Sequence, residues 1–177
     1  MFGHHGLSCR FSAGRLPRHA NLNDVVKRAL AAAGVPSWLE PVGLDRGDGK
    51  RPDGMTVFPY HRGKCLLWDA TCVDTFCASS TVASAVDPGS AALNRENHKR
   101  SKYQSLTDRY IFQPVAVETM GVLGASTLTF LRQLGRRITA QTGEKRESTW
   151  LFERISLAVV RGNAAAVRST GKGTAHI

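Results

Sequence analysis

Long hydrophobic runs are missing from this sequence. No apolar stretch reaches the roughly 18 residues that a transmembrane helix needs. The N-terminus also lacks the apolar segment of a secretory signal peptide. We therefore expect an intracellular protein without a membrane partner.

Acidic residues are in short supply. The chain has 14 Asp and Glu against 24 Lys and Arg, which gives a formal net charge of +10. Phosphate contacts by Lys and Arg dominate the affinity of proteins for nucleic acids, so DNA or RNA is the expected partner. A length of 177 residues with 42% hydrophobic content suits one globular domain rather than a disordered tail.

Cysteines are few and are not arranged in CxxC pairs. We expect reduced, mostly buried thiols at Cys9, Cys65, Cys72 and Cys77. Residues 4–9 have the His and Cys spacing of half a zinc knuckle. Because no second half precedes them in this chain, we expect no zinc site.

Aromatic residues make up only 7% of the chain. Trp38, Trp68 and Trp150 each sit among apolar neighbours in the sequence. We expect them in the core rather than as platforms on which bases stack.

Hydrophobic periodicity and turn residues divide the chain into helices and strands. The predicted elements are a helix over 21–33, strands over 38–44, 55–60 and 65–69, a helix over 90–106, a strand over 111–118, and helices over 125–141 and 148–168. This order predicts an α/β fold with a mixed sheet of about four strands, flanking helices and extra C-terminal helices. We expect residues 1–20 to form an irregular basic arm, 21–168 the domain and 169–177 a tail. Pro114 indicates that its strand lies at an edge or contains a bulge.

Two aspartates stand at the ends of neighbouring predicted strands. Asp53 enters the second strand and Asp69 ends the third, so a hairpin would bring their carboxylates together. Two hard oxygen ligands suit Mg²⁺ or Mn²⁺. The alternative is that both are turn or cap residues, since Asp-Gly is a common turn pair.

Basic residues recur at helical spacing in two predicted helices. Arg95, Lys99 and Lys102 share one helix face, from which a cation could reach a phosphate. The alternative is a solvated face on which Glu96 and Arg100 form a pair. Residues Arg154, Arg161 and Arg168 recur every seven positions and either follow a phosphate backbone or are simply solvated.

Several motifs in order resemble those of a nuclease family. They are His5-Gly6-Leu7-Ser8-Cys9, Gly14-Arg15-Leu16-Pro17-Arg18-His19 with Leu22-Asn23, Lys50-Arg51-Pro52-Asp53-Gly54, Trp68-Asp69-Ala70-Thr71 and Lys99-Arg100-Ser101-Lys102-Tyr103. The paired aspartates resemble those of the PD-(D/E)xK restriction-like nucleases. Residues 5–166 resemble more narrowly the C-terminal restriction-like endonuclease region of site-specific non-LTR retrotransposon polyproteins.

The resemblance implies a nuclear, metal-dependent endonuclease that nicks DNA to prime reverse transcription at the target site. Asp53 and Asp69 would bind Mg²⁺ or Mn²⁺, a metal-activated water would attack a phosphodiester, and a lysine would stabilise the developing charge. Glu40 is a candidate third carboxylate. The expected nucleic-acid contacts are Arg18, His19, Arg95, Tyr103, Arg154 and Arg161. The polymerase region of a parent polyprotein is a further possible partner.

One departure from the wider family matters. Thr71 stands where the family has a lysine, two residues after the second carboxylate, and threonine supplies no positive charge. The retrotransposon group is similar in this respect, with the lysine moved to the following helix, where Lys99 and Lys102 are the candidates. The main rival hypothesis is an inactive, truncated element remnant that binds nucleic acid non-specifically. A structural or protein-binding domain is the third.

Overall fold

The structure is a computed structural model that describes residues 7, 14–44, 51–77 and 80–170. In chain order its elements are helix α1 (Arg15–Ala32), strands β1 (Ser37–Leu39), β2 (Gly54–Thr56) and β3 (Leu66–Val73), helices α2 (Thr81–Val86) and α3 (Ser90–Lys102), a 3₁₀ turn (Gln104–Leu106), strand β4 (Ile111–Glu118), and helices α4 (Ala125–Thr142) and α5 (Glu147–Thr170). The predicted α/β fold, with a four-stranded mixed sheet, flanking helices and two further helices at the C-terminal end, is confirmed.

The sheet has the strand order β1-β2-β3-β4. β2 is antiparallel to both of its neighbours, whereas β3 and β4 run parallel. β4 is therefore an edge strand, which confirms the expectation from Pro114, and Pro114 lies opposite Asp69 in the register.

One face of the sheet carries the main hydrophobic core. Helices α1, α4 and α5 pack together there through apolar residues at helical spacing, including Leu22, Leu131 and Ile155. Trp68 of β3 is fully buried among them, and its indole N–H donates to Asn23 Oδ1 at 3.0 Å. Trp68 is thus in the core, as expected.

Gly54 is required by the indole of Trp68. A Cβ atom at position 54 would lie 2.0 Å from the Trp68 ring, which leaves no room for any side chain. The glycine of the Asp-Gly pair therefore lets β2 lie against Trp68, and Asp53 is held at the start of that strand.

Helix α3 covers the other face of the sheet, over β3 and β4. Its first turn is capped by fully buried Glu118 of β4, whose Oε1 accepts hydrogen bonds from two backbone N–H groups of α3 at 3.1 and 3.3 Å. A carboxylate in this position satisfies orphan N–H groups and complements the helix dipole. The start of α3 is therefore fixed to the end of β4.

Buried Glu96 in the middle of α3 plays the same part for α4. It accepts hydrogen bonds from the backbone N–H groups of Ser126 and Thr127 at 3.1 and 2.8 Å, and from the Thr127 hydroxyl. The alternative in which Glu96 pairs with Arg100 on a solvated face is therefore wrong. Two glutamates tie α3 to both the sheet and α4.

Several predicted boundaries need correction. Helix α1 begins at Arg15 rather than at residue 21, because Pro17 is tolerated in a first turn, so residues 15–20 are not an irregular arm. β1 ends at Leu39 rather than at residue 44, since Glu40 has a φ of 52°. Similarly, β2 spans only Gly54–Thr56, and α2 was not predicted.

Part of the predicted arm and tail falls outside the described residues. The His and Cys residues of the zinc-knuckle-like segment 4–9 lie outside the described residues. So do residues 171–177, which make up most of the predicted tail. None of the helices in the described part of the chain has both the length and the apolar character that a membrane span needs.

The described cysteines and the remaining tryptophans are less buried than expected. Cys65 and Cys72 are free, partly buried thiols, and burial raises the pKa of the Cys72 thiol to about 11. Cys77 donates to Ser80. Trp38 is 52% exposed, so its prediction as a core residue is wrong.

The cap at the start of α3 can be tested by truncation. Glu118→Ala should lower the free energy of unfolding by about 3 kcal/mol, because buried helix N–H groups lose their acceptor. Urea denaturation measures the change. Glu153→Ala, on an exposed part of α5, is the matched control and should change stability by less than about 0.5 kcal/mol. Equal effects would contradict the cap.

Candidate active site

The backbone brings Asp53 to the strand that carries Asp69. The Asp53 N–H donates to the carbonyl of Trp68 at 2.9 Å, and Asp53 Oδ2 accepts from the backbone N–H of Ala70 at 2.6 Å. The backbone of Asp53 thus contacts Trp68, and its carboxylate contacts Ala70, the two neighbours of Asp69. Asp69 itself lies in the middle of β3 rather than at its end, because β3 continues to Val73 by pairing with β4.

Two lysines of α3 contact the Asp69 carboxylate. Lys99 Nζ donates to Asp69 Oδ1, and Lys102 Nζ lies 3.6 Å from Oδ2. The lysine side chains are only 17% and 19% exposed, and that of Asp69 is 4% exposed. Charges at such partly desolvated positions interact more strongly than at the surface.

Tyr103 positions Lys102 rather than contacting nucleic acid. Its side chain is fully buried, so the predicted contact of Tyr103 with nucleic acid is wrong. The hydroxyl accepts from Lys102 Nζ at 2.6 Å and donates to the backbone carbonyl of Arg51 at 2.8 Å. Tyr103 therefore links the lysine to the segment that leads into Asp53.

His19 of α1 forms an ion pair with Asp53. Its Nε2 lies 3.0 Å from Asp53 Oδ2, and its Nδ1 lies 3.4 Å from the amide nitrogen of Asn23. The hydrogen bond with Asp53 raises the pKa of His19 above 6.5. Burial opposes ionisation of Asp53, but the hydrogen bonds and charge of His19 and the Ala70 N–H together hold the pKa of Asp53 below 3.8.

A basic cleft of about 650 Å³ is lined by Lys99 and Lys102, the two lysines that contact Asp69. Neither Asp53 nor Asp69 lines it, and its acidic lining residue is Asp74. Its basic lining residues are Arg15, Arg18, Arg95, His98, Lys99 and Lys102. Thr71, at the position of the family lysine, also lines it. Six basic side chains in one concave surface suit a phosphate backbone.

Arg18 has a mainly structural position in this cleft. It is 3% exposed, donates to Asn163 Oδ1 of α5 at 2.7 Å, and packs where Gly162 allows α1 and α5 to approach closely. The prediction of a surface contact at Arg18 is therefore corrected to a buried guanidinium at the wall of the cleft.

Arg15 and His98 line the basic cleft but are not among the site residues predicted from the sequence. Each lies three residues from a residue already singled out, Arg15 from Arg18 and His98 from Arg95. Helical spacing alone could have found both.

Three other predicted residues lie apart from the paired aspartates. Glu40 pairs with Arg51 at the surface, and only its backbone N–H contacts Asp53, at the carbonyl oxygen. Arg154 and Arg161 line a second cleft of about 300 Å³ between α1 and α5, and Arg154 lies 3.5 Å from Glu147.

The side chains at the site that suit a hard cation as ligands are the two aspartates. Among the described residues, no three His, Cys, Asp or Glu side chains cluster as metal ligands. Mg²⁺, however, is often held by one or two carboxylates, with waters and substrate phosphate oxygens completing the shell. Asp53 and Asp69 are therefore the residues that would hold Mg²⁺ or Mn²⁺ if the site binds a metal.

Two comparisons of the sequence with known proteins found no match. The chain matches no protein-family model, and no curated protein matches its sequence. The nuclease family named above therefore stays a resemblance.

The pH dependence of the His19–Asp53 pair has a definite sign. A raised His19 pKa contributes stability that is complete below 6.5 and is lost as the pH rises through the folded pKa. A lowered Asp53 pKa contributes stability that is complete above 3.8 and is lost as the pH falls through the folded pKa. The pair therefore stabilises the fold most between pH 3.8 and 6.5.

Asp53→Asn should lower the pKa of His19, because the imidazolium loses its anionic partner. NMR titration of the ring protons measures this pKa, and the spectrum of His19→Gln assigns the resonance. Asp24→Asn, which removes a surface carboxylate paired with Arg28, should leave the pKa unchanged. An unchanged His19 pKa in Asp53→Asn would contradict the ion pair.

Proposed function

We propose that the protein is a metal-dependent DNA endonuclease that nicks one phosphodiester bond, as a non-LTR retrotransposon does to prime reverse transcription. The observation that carries the proposal is that Lys99, which lines the basic cleft, contacts Asp69, while the Asp53 carboxylate bonds to the backbone of the next residue, Ala70. Carboxylates for a hard cation, lysines for the phosphate and a positive surface for the backbone are the parts that this reaction needs.

Asp53 and Asp69 are the residues that would hold Mg²⁺ or Mn²⁺. The lowered pKa of Asp53 keeps its carboxylate ionised at neutral pH, as metal binding requires. A bound cation would polarise the phosphate and make a coordinated water more acidic.

Lys99 and Lys102 supply the positive charge that Thr71 lacks. Both ammonium groups lie within reach of Asp69 and line the cleft, so a phosphate at the aspartates meets them directly. Tyr103 restricts Lys102, which lowers the cost of orienting it as charge develops on the phosphate. His19 orients Asp53 through their hydrogen bond.

The basic cleft would hold the DNA strand on either side of the cut. Most of its lining residues come from α1, β3 and α3, and the two helices supply the basic ones. The binding is electrostatic and carries no sequence information by itself. A protein with this function would act in the nucleus, where its DNA substrate lies.

A second candidate is a catalytically inactive remnant that binds nucleic acid non-specifically. The observation that favours it is that both carboxylates already have basic partners, His19 for Asp53 and two lysines for Asp69. If these ion pairs persist when Mg²⁺ is added, the cleft binds DNA and no bond is cut.

Asp53→Asn and Asp69→Asn should each abolish Mg²⁺-dependent nicking of supercoiled plasmid, because each removes a carboxylate charge from the metal. Lys99→Met should slow nicking about a hundredfold, the scale on which loss of one transition-state contact acts. Gel assays of nicked circles measure the rates.

Asp24→Asn is the matched control for these variants and should nick at the wild-type rate. Undiminished nicking by Asp53→Asn would overturn the proposed site. DNA binding by the wild-type protein without any nicking would instead favour the inactive remnant.

Arg95→Gln should reduce the slope of log Kd against log salt by about one, because one phosphate contact is lost from the cleft. Fluorescence anisotropy with labelled duplex DNA at several salt concentrations measures the slope. Lys145→Gln, an exposed position between α4 and α5, is the control and should leave the slope unchanged. Equal slopes for both variants would exclude Arg95 from the interface.

A further inference from the structure

Trp38 is an exposed aromatic residue on an edge strand. About half of the surface of Trp38 is exposed to solvent. Burial of an indole ring would contribute strongly to the stability of a hydrophobic core. An exposed indole near a proposed nucleic-acid site offers a flat aromatic face on which a base can stack.

The strand register places Trp38 on the same face as the paired aspartates. Trp38 lies opposite Met55, and Met55 lies opposite Leu67. Residues that pair across neighbouring strands point to the same face of the sheet, and so do residues two positions apart on one strand. Asp69 lies two positions beyond Leu67, so Trp38 and Asp69 share a face. Leu39 points to the opposite face.

The distance from Trp38 to the site is short. Neighbouring strands are about 4.8 Å apart, so β1 lies about 10 Å from β3 across the sheet. That span corresponds to a few nucleotides along a DNA strand. A strand held with one phosphate at Asp53 and Asp69 can therefore run over Trp38.

A chain of contacts links the basic cleft to this edge of the sheet. Lys102 bonds to the Tyr103 hydroxyl, which in turn bonds to the carbonyl of Arg51. The Arg51 side chain pairs with Glu40, which follows β1 directly. The strand that carries the exposed indole is thus connected, through Arg51 and Tyr103, to a lysine of the basic cleft.

We propose that Trp38 stacks on an unpaired base of the bound DNA strand, so that the preferred substrate has single-stranded nucleotides beside the cut. This inference rests on the proposed function and narrows its substrate. Bases within a duplex are already stacked on their neighbours, whereas an unpaired base offers its free face to an indole. Such stacking tolerates any sequence, because every base has an aromatic face.

Binding measurements without metal test the proposal, since no strand is then cut. We compare a single-stranded oligonucleotide, a duplex with an unpaired flank and a fully paired duplex of the same sequence, all in EDTA. Trp38→Ala should weaken binding of the first two about tenfold, the scale of base stacking on an aromatic residue. Its slope of log Kd against log salt should stay at the wild-type value, because no phosphate contact is lost.

Two control variants sharpen the result. Trp38→Phe keeps an aromatic ring and should retain most of the affinity for unpaired DNA. Leu39→Ala removes an exposed side chain on the opposite face of the same strand and should leave every affinity within about twofold.

The outcomes separate this inference from the proposed function. A loss in Trp38→Ala that is equal for paired and unpaired DNA, or no loss at all, overturns the stacking proposal while leaving the nuclease intact. Wild-type protein that binds none of the three DNAs overturns both. Preference for unpaired DNA that disappears only in Trp38→Ala supports the inference, even if plasmid nicking is never observed.

Discussion

The arrangement of the site depends on the buried carboxylate of Glu118 at the start of α3. This contact fixes where the helix begins on the sheet, and Glu96 fixes its middle against α4. With both positions set, the last two turns of α3 lie over β3, and Lys99 and Lys102 meet Asp69. Neither glutamate touches the proposed substrate, yet they determine which residues of α3 can.

The core on the other face of the sheet sets the position of the second carboxylate. The indole of Trp68 excludes a side chain at position 54 and donates to Asn23, whose amide nitrogen lies close to His19. His19 in turn holds Asp53. A chain of contacts therefore runs from Trp68 in the core to the Asp53 carboxylate. The packing of the core thus helps to set the position of a charged group at the site.

Local patterns in the sequence were enough to predict much of the fold. The bounds of β4, and nearly those of α4 and α5, follow from apolar periodicity and flanking glycines, and the shared face of Arg95, Lys99 and Lys102 follows from helical spacing. What failed depends on partners distant in the chain. Asp69 lies in mid-strand because β4 pairs with β3, and Glu96 is buried because α4 begins beside it. The exposure of Trp38 likewise depends on which face of β1 the helices leave open.

The buried charge of Asp69 links folding of the sheet to docking of α3. Its carboxylate is almost fully buried, and both lysines that compensate its charge come from α3. A sheet assembled without that helix would either leave β3 and β4 open to water or bury an uncompensated charge, which costs several kcal/mol. We therefore expect docking of α3 and closure of the sheet over Asp69 to be one cooperative step, so that partly folded molecules with an intact sheet but a detached α3 are rare.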